Sequence, residues 1–278
     1  MGIAFALGCL ICSALNDFLF KVFSGKKSST GIFVSIVGIV SFLALLLIPA
    51  DWSNLSITLL WSAVSGFFSL TGNLLLIESM RYQSAGVCST VYRLNLVAVV
   101  IGAALLLGEH LVLHQYLGVF AAVCAVCCFF SVDKNAGKMA LRGLLMALLA
   151  SLLRAGMGLS CKYGITQGAD AQAISIITSF FWIIGGGVFC LLKREPVKGT
   201  INKFMLLTGC ISGLFVGGII FFMNMALKYG DASVVLTIAQ MSFLATLLLS
   251  VIFLKEKLTC RKIIGMLCGI AAILLMSL

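Results

Sequence analysis

Ten apolar stretches, each close to the ~20 residues that cross a bilayer as a helix, follow one another along the chain with little polar sequence between them. They run over residues 3–22, 31–49, 57–79, 86–107 and 113–132, and then over 139–162, 173–192, 204–227, 232–254 and 263–278. A water-soluble domain carries roughly a quarter charged residues. Here 62% of the 278 residues are hydrophobic and 10% are charged, so the apolar surface has no polar face to hide behind and the bilayer must be the main solvent.

The stretches fall into two sets of five. Residues 78–118 overlay 225–265 at a constant shift of 147, bringing Tyr82, Thr90, Glu109 and Gly118 onto Tyr229, Thr237, Glu256 and Gly265. The only two prolines, Pro49 and Pro196, are also 147 apart, and at a shift of 141 Gly2 meets Gly143 and Lys21 meets Lys162. Apolar identities arise easily by chance between membrane helices, but polar and proline identities in a fixed register do not. The fold class expected is all-α integral membrane, about ten transmembrane helices in two inverted five-helix repeats, 1–132 and 139–278, joined by 133–138.

Inversion follows from the odd number of helices per repeat, and the charges agree with it. Of the 19 Lys and Arg, 14 lie in odd-numbered connections: Lys26, Lys27, Arg81, Lys134, Lys138, Arg142, Lys193, Arg194, Lys198, Lys203, Lys255, Lys257, Arg261 and Lys262. The even-numbered connections hold Lys162 and Lys228. By the positive-inside rule the odd connections are cytoplasmic and both termini lie outside. The setting expected is a bacterial inner membrane, crossed many times, with the segment from Met1 retained as the first helix because no basic start or cleavage site marks it as a signal.

The net charge of +10 does not indicate nucleic acid, because the basic residues sit in short clusters between apolar runs rather than along one helix face. Such clusters suit topology and contact with anionic lipid headgroups. The eleven cysteines lie mostly inside apolar runs without accompanying histidines, and are read as small apolar residues rather than metal ligands. No cofactor or metal is expected.

Ionisable residues deep in a span cost ~2.5–3.5 kcal/mol on insertion scales and therefore face protein or a watery cavity. Arg93 lies mid-span in the fourth stretch on a face with Gly86, Ser89 and Thr90, and its repeat partner is Gln240. Arg154 lies mid-span in the sixth with Ser151 and Gly158. Asn16, Asp17, Asn73, Tyr92, Asn95, Asn224 and the mid-span Trp182 complete the polar set. The reading is a polar cavity in which Arg93 and Arg154 meet a carboxylate, phosphate or similar group. Gln240, Asn16 and Asn95 would add hydrogen bonds, with Tyr92, Asn73 and Trp182 beside them. The alternative is that these groups tie helices together, with Asp17 neutralising Arg154. Asp17 is the candidate for a coupling proton, although its spacing to Lys21 also suits a local i, i+4 pair. Glu109 and Glu256 are expected to bond helix N-termini. Replacing Arg93 by alanine is expected to abolish transport and to spare folding.

The segment 16–21, "SMRYQSAG" running into "LLLGEHL" (79–111), and their echoes "ALKYGDAS" and "FLKEKL" (226–258), resemble the drug/metabolite transporter superfamily, EamA-domain type, over essentially the whole chain. The resemblance implies ten helices, a cavity lined by the first four of each repeat, and alternating access without nucleotide hydrolysis. It also implies substrates such as amino acids, sugars, nucleotide derivatives and drugs. The proline common in the fourth and ninth helices of such chains is absent around Leu96 and Phe243, leaving a bend there without its usual cause. Many relatives also carry charges that imply internal termini, the reverse of this chain's pattern.

The function expected is secondary-active transport of a small polar metabolite such as an amino acid, an anionic one included, with the lipid bilayer and the small-molecule substrate as partners and a monomer or homodimer as the unit. A membrane-embedded lipid-modifying enzyme would need clustered catalytic acids or histidines, whereas the acids here are scattered. A non-transporting receptor or assembly subunit is the third class.

Overall fold

The computed structural model describes residues 1–26, 28–107, 112–129, 137–195, 201–229 and 232–278, and every regular element among them is an α-helix. The first half holds α1 (Gly2–Ser24), α2 (Thr30–Leu45), α3 (Leu55–Ser79), α4 (Ala85–Arg93), α5 (Asn95–Leu107) and α6 (Leu113–Phe129). The second holds α7 (Gly137–Thr166), α8 (Ala171–Leu192), α9 (Lys203–Tyr229), α10 (Ala232–Gln240), α11 (Ser242–Leu254) and α12 (Cys260–Ser277). Of these, α1, α3, α7, α8 and α9 are long and apolar enough by themselves to cross a membrane.

The fourth and ninth apolar stretches are each two helices, α4 with α5 and α10 with α11. Their breaks fall at Leu94 and Met241, positions that the shift of 147 superimposes. No proline is involved. Leu94 has ψ near 0° (φ −69°), and its amide is shared between the carbonyls of Thr90 and Val91, each at 3.2 Å, before Val97 N restarts the ladder on Leu94 O. Met241 does the same at φ −71°, ψ 1°, with its amide on Ile238 O and Leu244 N on its own carbonyl. One tight i→i+3 turn thus redirects each helix while keeping its polar backbone groups bonded, which apolar surroundings demand.

Every extensive helix pairing joins one half to the other. α3 packs most broadly on α7 and α1 on α9, which is one pairing seen twice: first helix of one half against third of the other. α2 packs on α8 and α6 on α12, second with second and fifth with fifth. Small residues let α2 and α8 approach closely: a Cβ at Gly31 would stand within 3 Å of the Gly186 carbonyl and the Cys190 amide, and Ser35 Oγ donates to Ile183 O at 2.8 Å. Outward, Leu43, Phe120, Leu152, Leu191, Leu214, Leu248 and Leu267 are exposed, as a lipid-facing surface requires.

The described ends of odd-numbered connections from both halves meet on one face, called here the basic face. Lys21 Nζ, near the end of α1, donates to Met80 O and Gln83 O after α3, both at 2.7 Å, and stands 3.9 Å from Glu256 after α11. On the opposite face the α2–α3 and α7–α8 connections meet, where Asn54 Nδ2 donates to Gly168 O at 3.0 Å.

Candidate functional site

A cavity of about 150 Å³ lies between the halves. Four helix faces carry its polar lining, each at helical spacing: Ser13, Asn16 and Asp17 on α1; Ser65, Ser69 and Asn73 on α3; Arg154, Met157 and Cys161 on α7; and Ser175, Thr178, Ser179 and Trp182 on α8. Tyr92 and Arg93, the last two residues of α4, close one side, and Val216, Ile219 and Ile220 of α9 form an apolar wall. Ile174 and Ser175 belong to the opening turns of α8, so the cavity extends from mid-span toward the opposite face.

Of the residues singled out from sequence, Asn16, Asp17, Asn73, Tyr92, Arg93, Arg154 and Trp182 line this cavity together. Gln240 and Asn95 do not. They face each other instead, Gln240 Nε2 donating to Asn95 Oδ1 at 3.4 Å, and so tie the two helix breaks together. The reason is local: residues two apart on a helix point to opposite sides, so Asn95 faces away from Arg93. Asn224 also lies elsewhere, donating to Gln172 Oε1 at 3.5 Å.

Asp17 is 3% exposed, and its Oδ2 accepts from Arg93 at 3.1 Å. The partner expected for Asp17, Arg154, is not the one it has, and neither is Lys21. Arg93 ends the half-helix α4, where the negative end of the helix dipole favours a cation. Arg154 meets only the sulfur of Met157, at 3.0 Å, and among the described residues it has no carboxylate. The other polar side chains are largely occupied. Trp182 Nε1 donates to Ser69 Oγ at 3.1 Å, Asn73 Nδ2 to Ser69 O at 2.8 Å, and Ser212 Oγ to Asn16 Oδ1 at 2.6 Å. Tyr92 OH stands 3.5 Å from Asn73 Oδ1. Thr178 Oγ1 is buried with no partner.

The hydroxyl lining, Ser13, Ser65, Ser69, Ser175, Thr178 and Ser179, was not singled out in sequence. Its signal is the three- and four-residue spacing on α3 and α8, which lone Ser and Thr in apolar helices hide.

Beyond Asp17 and Arg93, the way to the basic face is closed by polar ties that cross between halves. Glu256 Oε1 accepts from Ala85 N at the start of α4, so it does bond a helix N-terminus, though not that of α12, which follows it. Glu78 accepts from Thr30 Oγ1 and pairs with Arg81 and Lys193, each at 3.2 Å. Glu195 accepts from Ser29 Oγ at 2.5 Å and Gly31 N at 3.0 Å. Fully buried Phe20, Phe23 and Phe33 pack beneath, the last two stacked at 3.9 Å. Glu109, Pro196 and the 133–136 junction lie outside the described residues. No group of three or more His, Cys, Asp and Glu that could hold a metal occurs among the described residues.

Comparisons with known proteins bear on what such a cavity does. A solved crystal structure, described only as that of a protein, is similar in fold over 99% of this chain and 95% of that one, with a TM-score of 0.63 at 12% identity. No curated protein matches the sequence. The family model for the EamA-like transporter family matches twice, over residues 1–131 and 141–278. Two matches in tandem cover the helices that build the cavity from both sides, and the chain is a multi-pass membrane protein that belongs to the EamA-like transporter family.

Proposed function

We propose that this chain is a secondary transporter that carries a small polar metabolite across a bacterial inner membrane by alternating access, with the cavity between the halves as its binding site. The observation that carries the reading is Arg154: a guanidinium is always charged, it lines a cavity at mid-span, and among the described residues its side chain has a thioether as hydrogen-bond partner and no carboxylate. A membrane protein that leaves such a charge without a carboxylate has a use for it. The closed basic face, read as cytoplasmic, and the cavity's reach toward the other face fit one end state of a rocking cycle. The cavity is complete within one chain, which supports a monomer as the working unit.

The test is a thermal-shift screen of the purified protein against a metabolite library, followed by counterflow in proteoliposomes with each stabilising compound. A ligand at a hundredfold over its Kd stabilises the folded state by about 2.7 kcal/mol, which the melting temperature reports. Counterflow that disappears in Arg154→Ala is the expected result. Stabilising ligands that are never exchanged across the membrane would sink the transport reading.

A further inference from the structure

We infer that the cavity selects small monoanions, a carboxylate or similar group on a compact apolar body, over zwitterionic amino acids and over cations. The inference rests on the transport reading above and names the substrate class of that same site.

Charge balance carries the argument. Asp17, Arg93 and Arg154 are the Asp, Glu, Lys and Arg residues in the lining. Asp17 and Arg93 cancel each other as a close pair, which leaves one positive charge, on Arg154. A monoanion neutralises it. A zwitterion would in addition bring an ammonium group, which must find a carboxylate or several free acceptor oxygens.

The strongest acceptors are taken, and the hydroxyls that remain carry no negative charge to meet an ammonium. The Asp17 carboxylate holds Arg93, Asn16 Oδ1 receives Ser212, and Ser69 Oγ receives Trp182. In the lining, Nε of Arg93 and the hydroxyl of Thr178 are buried without a partner among the described residues, and the guanidinium of Arg154 has only a thioether as hydrogen-bond partner there. A site whose one carboxylate is already paired, and whose remaining charge is a guanidinium, prefers an anion. Met157, Val216, Ile219 and Ile220 then offer an apolar wall for the rest of the molecule. A cavity of about 150 Å³ holds a molecule the size of benzene, so the ligand as a whole, carboxylate included, is small.

Three ligands sharing one branched carbon skeleton separate the classes at neutral pH: 4-methylpentanoate, leucine and 3-methylbutylamine. Binding is measured to the full-length purified protein by thermal shift. The acid is expected to bind at least about tenfold more tightly than leucine, since one charged hydrogen bond left unmade is worth more than the 1.4 kcal/mol of a tenfold change. Arg154→Met should abolish acid binding. Because that variant can fail to fold, Arg154→Lys is the second: it keeps the charge but loses the planar fork, so 4-methylpentanoate should still bind, about tenfold more weakly. Tighter binding of leucine or the amine, no binding of the acid, or acid binding unchanged in both variants overturns the inference. Leucine counterflow without acid binding would overturn the class alone and leave transport standing, whereas acid binding with no ligand ever exchanged would overturn transport.

Discussion

Asp17 and Arg93 are buried as a pair, with side chains 4% and 12% exposed, so neither can be changed in isolation. Removing one partner of a buried ion pair strands the other in an apolar setting, typically at about 3–5 kcal/mol. Arg93→Ala is therefore expected to lower the melting temperature as well as transport, against the expectation that folding would be spared. In a thermal-denaturation cycle, Asp17→Asn with Arg93→Met should cost less than the sum of the two single changes. Additive costs would show that the pair does not act as one. The residue types at depth were legible in sequence, because a charge or amide inside a span stands out. Their partners were not: Asp17 had Lys21 and Arg154 as claimants and its partner Arg93 was not among them, because the choice depends on which helices touch, which a local spacing does not encode. Lys21 went instead to Glu256 and two carbonyls beyond α3.

The helices were legible as apolar runs, but the breaks in the fourth and ninth were not, since a turn built from ordinary residues leaves no proline or glycine to mark it. The ties between α1, α3, α8 and the segment after α11 set the closed face, and they predict an accessibility change. In a variant whose only cysteine is the native, cavity-lining Cys161, an impermeant maleimide should label from the opposite face and not from the basic face. Glu78→Gln with Glu256→Gln should raise labelling from the basic face, by about tenfold for each 1.4 kcal/mol of closure lost. Labelling from the basic face already in the otherwise native protein would contradict the closed state. Where α2 crosses α8, Gly31→Val should destabilise by about 1–3 kcal/mol through overpacking against backbone that cannot yield. An unchanged melting temperature would mean that the two helices can separate freely.

At the scale of the molecule, the sequence repeat announced two halves but not their intimacy. Each half has its largest contacts with the other, so residues 1–132 or 139–278 expressed alone should be degraded, while the two co-expressed should assemble and restore ligand stabilisation. Recovery of a folded, monomeric half would refute that dependence. The lining is drawn unequally from the halves, with α4 and α8 contributing and their counterparts α10 and α2 not. Two copies of one design facing opposite ways already contain the reverse arrangement, in which the roles of α8 and α2 are exchanged. What separates the two arrangements in energy is confined to positions where the copies differ, such as Lys193 and Glu78, whose equivalents at the shift of 147 are Leu46 and Met225. Substitutions at the rim, far from any ligand, are then one route by which natural selection or an engineer resets which side the resting protein faces.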